Sequence, residues 1–268
     1  MFGEVVHNPI VVKDLQKKGL LLVKDIGRIP DGDHVKVLVR AHGVSASTVT
    51  ALSNRGFEII DKTCPKVKEI HDIVAEASSR GLDMIVVGAP DHPEIEGIVG
   101  WAKTKTVILH DIEEAKRIIP NEKFSENGVC MVSQTTHNKH KYEEIHEFCS
   151  SIIPNIEFHS TVCATTSNRQ NEVRKLAEVA DGFIIVGGKT SSNVMKLYEI
   201  ASEYCEKTQH IESAEEIDFS KLTGVNTLVV TGGASTPDSS VDETIDAVRA
   251  YCTSRLISFE KAYTDRSL

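Results

Sequence analysis

Met84-Ile85-Val86-Val87-Gly88-Ala89-Pro90-Asp91-His92-Pro93-Glu94 is the stretch on which the fold turns. Four apolar residues without alternation read as a strand buried on both faces. The run stops at Gly88, a polar bend follows, and Pro93 sits where a helix would begin. The same order recurs along the chain. Residues 35–39 run into Ala41-His42-Gly43-Val44-Ser45, and residues 129–132 into Ser133-Gln134-Thr135-Thr136. Residues 183–186 run into Gly187-Gly-Lys-Thr-Ser191-Ser192-Asn193, and residues 227–230 into Thr231-Gly-Gly-Ala-Ser235-Thr-Pro-Asp238. Amphipathic helices are predicted between the strands. Pro65 opens one with Val67, Ile70, Ile73 and Val74 on a single face. Asn168 is read as the cap of a helix burying Val173, Leu176 and Val179, and Asn193 as the cap of one with Leu197, Ile200 and Tyr204 on one face. Strands alternating with helices predict an α/β protein built on small parallel sheets.

In such folds ligands gather beyond the carboxyl ends of the strands, where loops and helix N-termini meet. Nearly all the unusual polar residues fall there. Turn and cap duty explains any single Gly-, Ser- or Thr-rich loop. It does not explain a set of such loops that also carries His42, His92 and Glu94. A carboxyl group in a closed pocket can hold a proton to a high pH and serve as a donor. A capping His92 and a solvated Glu94 are the simpler alternative for His92-Pro93-Glu94 taken alone. His7 and His42 each end an apolar run, a place that suits a phosphate contact beside backbone amides or, more commonly, a core histidine. Ser191, Ser192, Asn193 and Ser235 offer short donors for phosphate oxygens. No Walker or dinucleotide-binding glycine motif is present.

The chain has 268 residues and a formal net charge of −9, which argues against a general nucleic-acid binder. No apolar run approaches the roughly 20 residues that span a bilayer, and no signal segment follows Met1, so a cytoplasmic protein is expected. The six cysteines include no Cys-x-x-Cys pair, and structural disulfides are not expected. Cys130, Cys149, Cys205 and Cys252 lie in apolar or helical patterns and read as inert thiols. Cys64 and Cys163 each stand before a predicted helix, a position that favours the thiolate, the form that attacks or ligates. Two cysteines in matching contexts point to two ligands of one centre. The predicted divisions are a first domain 1–63, a second 64–159, a third 160–254 and a tail 255–268.

Taken together, Glu4-Val-Val-His-Asn8, Ala41-His-Gly-Val-Ser45, Thr63-Cys-Pro65, His92-Pro-Glu-Ile-Glu-Gly97, Gln134-Thr-Thr136, Cys163-Ala-Thr-Thr-Ser-Asn-Arg-Gln170, Lys189-Thr-Ser-Ser-Asn193 and Gly233-Ala-Ser235 resemble the 4-hydroxy-3-methylbut-2-enyl diphosphate reductase family of the non-mevalonate isoprenoid pathway. The resemblance implies three α/β domains around a central 4Fe-4S cluster held by three cysteines, with one iron open for substrate. It implies reductive removal of the substrate hydroxyl as water, giving isopentenyl and dimethylallyl diphosphates. The electron donor would be ferredoxin or flavodoxin, with neither nucleic acid nor membrane as partner. Carried over residue by residue, Cys64 and Cys163 match cluster ligands, Glu94 the proton-delivering carboxylate, Thr135 its hydroxyl partner, and Thr166 a residue beside the cluster. His7, His42, His92, Ser191, Ser192, Asn193 and Ser235 match the diphosphate pocket, with His92 also serving proton delivery. The family's opening segment, of Asn-Pro-x-Gly-Phe-Cys-Ala-Gly type and bearing the first cluster cysteine, has no counterpart here. The first domain is therefore expected to be truncated and the cluster to lack its third thiolate. The alternative is a short, cluster-free form that binds small phosphorylated ligands.

Overall fold

The computed structural model describes residues 1–30 and 34–255, so the predicted tail lies almost entirely outside the described residues. Among these, three small sheets carry the fold. β1 (Lys36–Val39) pairs with β2 (Glu58–Asp61). The second sheet has the order β4 (Thr106–Leu109), β3 (Asp83–Val87), β5 (Val129–Ser133), β6 (Ile156–Phe158). The third has the order β8 (Thr208–Ile211), β7 (Gly182–Val186), β9 (Leu228–Gly232). Every pairing is parallel. Parallel neighbours need a crossover, which the intervening helices supply, α2 (Ala46–Asn54) and α5 (Ile112–Ile118) among them, while α1 (Pro9–Lys17) precedes β1. The chain is a mixed α/β protein, as the strand–loop repeat predicts.

It divides into two compact units, one of Met1–Val6 with Val12–Cys163, the other of His7–Val11 with the chain from Ala164 onward. In the first unit, β3 and β5 are buried at every residue. Ile85, Val87, Val129 and Met131 face one side, against Tyr142, Ile145 and Cys149 of α6 (Lys139–Ser150). Met84, Val86, Cys130 and Val132 face the other, against Ile70, Val74 and Ala77 of α3 (Pro65–Ser79) and Ile95 and Ile98 of α4 (Pro93–Val99). Full burial of each such side chain contributes about 1.5–3 kcal/mol, which is why the continuous apolar runs sit centrally. In the second unit, Phe183 and Ile185 pack on α7 (Ala164–Ala177) and α8 (Ser192–Tyr204). Ile184 and Val186 pack against Val248 of α9 (Asp238–Ser254).

Three helix readings need correction. Asn168 caps nothing: it lies exposed inside α7, which begins four residues earlier. The buried stripe of α7 is Thr166, Gln170, Val173 and Ala177, so two polar residues occupy the apolar face and hide its start. Val179, beyond that helix, is 70% exposed, and Tyr204 is also exposed. Ser191, not Asn193, caps α8, accepting the Val194 N–H, while Asn193 is buried one residue into the helix. The predicted strand–loop repeat leaves out two edge strands: β8 is polar at Thr208, Gln209 and His210, and β4 has only the short apolar run Val107-Ile108-Leu109.

Candidate active site

In the first unit the site grows from the loop after β1 and the start of α4. Gly43 adopts a left-handed φ of 71°. A Cβ there would stand 2.5 Å from Cε1 of His71, so only glycine lets the turn settle on that ring. His71 is buried and stacks on Trp101 with ring centroids 5.3 Å apart. Burial pushes its pKa down to about 4, leaving it neutral at physiological pH. The Trp101 indole N–H donates to the Val44 carbonyl at 3.0 Å, tying down the same turn. Above it, His42 meets His92 edge to face, with centroids 5.2 Å apart.

His92 caps α4: its Nδ1 accepts the Glu94 N–H at 3.1 Å. A neutral His92 therefore carries its proton on Nε2. Glu94 is not solvated. It is 1% exposed, and burial raises its pKa to about 7 against the pull of two hydrogen bonds from Thr135. The Thr135 N–H donates to Oε1 at 2.6 Å and the Thr135 hydroxyl to Oε2 at 3.0 Å. That hydroxyl can also accept a bond from the protonated acid, so the pair tolerates both charge states. Gln134 braces the arrangement, accepting the Ala89 N–H at 3.2 Å and donating to Thr136 Oγ1 at 3.0 Å.

Cys64 stands at the N-cap of α3 with its side chain making no cap bond, and its N–H donates to Ala41 at 2.9 Å, next to His42. Cys163 immediately precedes α7, and its N–H donates to the Thr135 carbonyl at 2.9 Å. Both thiols are free and half-buried. The other cysteines belong to apolar packing. Cys130, Cys149 and Cys205 are buried, and Cys252 packs on the core of the second unit. Burial pushes the Cys130 thiol up to about 12 and Cys149 up to about 11. An iron–sulfur cluster needs accessible thiols, and Cys64 and Cys163 fit that need while the buried Cys130, Cys149 and Cys205 do not. A groove of about 600 Å³ in this unit is lined by Asp61, Thr63, Lys68, Glu69, Asp72 and Glu76 among others. Its acidic lining suits no diphosphate.

In the second unit, Ser191 and Asn193 are buried and Ser192 and Ser235 half-buried, at the N-terminus of α8 after β7 and on the loop after β9. Both polar atoms of the Asn193 amide are buried without a hydrogen-bond partner. An orphaned buried amide costs about 1–3 kcal/mol, a cost that persists where a ligand repays it. The Asn193 Nδ2 lies 3.4 Å from where a Cβ on Gly233 would stand, so the bare Gly233 backbone makes room beside it. Gly188 likewise leaves room for the His7 carbonyl, 2.5 Å from a would-be Cβ. Asn8, not singled out in the sequence, binds the 235 loop through Nδ2 to the Ser235 carbonyl at 3.0 Å. Thr166 is buried on the inner face of α7.

Residues 1–249 match the family model described as LytB protein. The chain belongs to the LytB family. A 4-hydroxy-3-methylbut-2-enyl diphosphate reductase of Caldanaerobacter subterraneus is 38% identical over 250 residues, covering 92% of this chain and 84% of that protein. The enzyme of that name from Clostridioides difficile is 34% identical over 243 residues, 91% of this chain and 85% of the relative. Among solved structures, the E-1-hydroxy-2-methyl-but-2-enyl-4-diphosphate reductase of Plasmodium falciparum superposes with a TM-score of 0.84 at 27% identity, covering 91% of this chain and 76% of that one. A second, described as the terminal enzyme of the non-mevalonate pathway, gives 0.63 at 32% identity, covering 93% and 87%. The motif resemblance is thus borne out for the family. Among the described residues, no helix of this LytB protein is long and apolar enough to cross a membrane.

Proposed function

We propose that this LytB protein reduces 4-hydroxy-3-methylbut-2-enyl diphosphate to isopentenyl and dimethylallyl diphosphate. Two electrons and two protons enter, the allylic C–O bond breaks, and the hydroxyl leaves as water. The observation that carries the reading is Glu94, a fully buried carboxyl with a pKa of about 7, held by both donors of Thr135. Such an acid keeps a proton near neutrality and can release it inside a closed site. An anionic diphosphate nearby raises its affinity for that proton further. His92, which caps the same helix through Nδ1, serves as the second donor, and Thr135 keeps Glu94 aimed in both charge states.

Cys64 and Cys163 would hold an iron–sulfur cluster, which supplies electrons and a Lewis-acidic iron for the leaving hydroxyl. Thr166 would stand beside it. The diphosphate oxygens would be taken by His7, His42, His92, Ser191, Ser192, Asn193 and Ser235, of which Asn193 has the most to gain because its amide is unpaired. Electrons would come from a small carrier of the ferredoxin or flavodoxin class, in the cytoplasm.

The test is anaerobic iron and sulfide analysis with turnover under a chemical reductant, on this chain and on one carrying any in-frame upstream coding sequence. Both product diphosphates, formed by wild type and not by Glu94→Gln, support the reading. Absence of product from both chains, with pyrophosphate still bound, overturns it in favour of a cluster-free phosphate binder.

A further inference from the structure

β6 ends at Phe158 while β5 runs on to Ser133, so the last residues of β5 have no strand on that side. The irregular segment that follows β6 nevertheless continues the ladder at every second residue. His159 N–H donates to the Met131 carbonyl at 3.0 Å, and Cys163 N–H donates to the Thr135 carbonyl at 2.9 Å. The rung between them comes from a side chain. Thr161 Oγ1 accepts the Ser133 N–H at 2.7 Å and donates to the Ser133 carbonyl at 2.9 Å, doing with one hydroxyl what a strand does with its backbone.

Thr135 follows two residues after Ser133, and its own N–H and hydroxyl are the two donors to Glu94. Its carbonyl is fixed by Cys163, two residues after Thr161. We propose that Thr161 is a positioning residue whose hydroxyl sets the register of the 161–163 segment against 133–135, and so aims both Thr135 donors at Glu94. The role needs a donor and an acceptor on one atom, which serine shares and valine lacks. It rests on the reading of Glu94 as the proton-delivering acid. Without the rung, the Ser133 peptide groups lose their partner and the Thr135 donors lose alignment. Those donors favour the ionised form of Glu94, so their loss moves its titration upward.

The experiment is an infrared pH titration of the Glu94 carboxyl band, identified by its disappearance in Glu94→Gln, on wild type, Thr161→Val and Thr161→Ser. The wild-type midpoint is expected at about 7. Thr161→Val should raise it by about one unit, and Thr161→Ser should restore it. In turnover, Thr161→Val should lower kcat roughly tenfold with KM unchanged, its pH limb moving with the band. A Thr161→Val midpoint equal to wild type, in a folded protein, overturns the proposal while leaving the reductase reading intact. If Thr161→Val does not fold, Thr161→Ser against Thr161→Ala makes the same comparison, and equal midpoints in those two overturn it as well. Failure of the reductase reading shows instead as absent product, with the band still measurable.

Discussion

Replacing Glu94 by glutamine should stabilise the first unit in alkaline solution while abolishing turnover. Glu94 rises from an ordinary 4.5 to about 7 on burial, a difference of 2.5 units. Each unit corresponds to about 1.4 kcal/mol between protonation states, so ionising Glu94 costs the folded state about 3 kcal/mol. The sign follows from which state binds the proton more tightly. The folded protein does, so its stability is greatest below pH 4.5, falls as the pH rises through 7, and is flat above that. Glutamine has a similar volume, can accept the Thr135 N–H, and never ionises. Urea unfolding at pH 5 and pH 8 should therefore give nearly equal stabilities for variant and wild type in acid. At pH 8 the variant should be ahead by about 2–3 kcal/mol. A wild type whose stability does not fall between the two pH values would refute a buried, proton-retaining Glu94. So would a variant no more stable than wild type at pH 8.

Alkylation of the native protein by iodoacetamide at pH 8 should label Cys64 and Cys163 well before Cys130 and Cys149. With thiol pKa values of about 12 and about 11, Cys130 and Cys149 are thiolate to roughly one part in ten thousand and one in a thousand, and their side chains are buried besides. Peptide mass spectrometry that finds Cys130 labelled as fast as Cys64 in folded protein would contradict this division. Asn193→Ala should leave the second unit as stable as before or more so, because it removes an unpaired buried amide. Pyrophosphate binding, followed by calorimetry, should weaken roughly tenfold or more with the loss of a bond to a charged acceptor. Destabilisation with unchanged binding would make Asn193 a packing residue.

The local sequence determined the strands of highest apolar content, the start of α3 at Pro65, and the loops on which the candidate residues ride. Those features depend on interactions within a few residues: β-branched runs, a proline ring that presets φ, and turn-forming side chains. Where a polar residue takes a buried position for tertiary reasons, local reading fails, as Thr166 and Gln170 show by concealing the start of α7. Tertiary structure alone decided the chemistry of Glu94. His92-Pro93-Glu94 is compatible with a solvated carboxylate. Only tertiary burial desolvates it and raises its pKa, against the two hydrogen bonds of Thr135, 41 residues away in sequence. The same holds for His71, made neutral by Trp101 and the Gly43 turn, and for Thr161, an ordinary threonine until β6 stops short of Ser133. Desolvation and hydrogen-bond alignment depend on which distant segments meet, and no local pattern encodes that meeting.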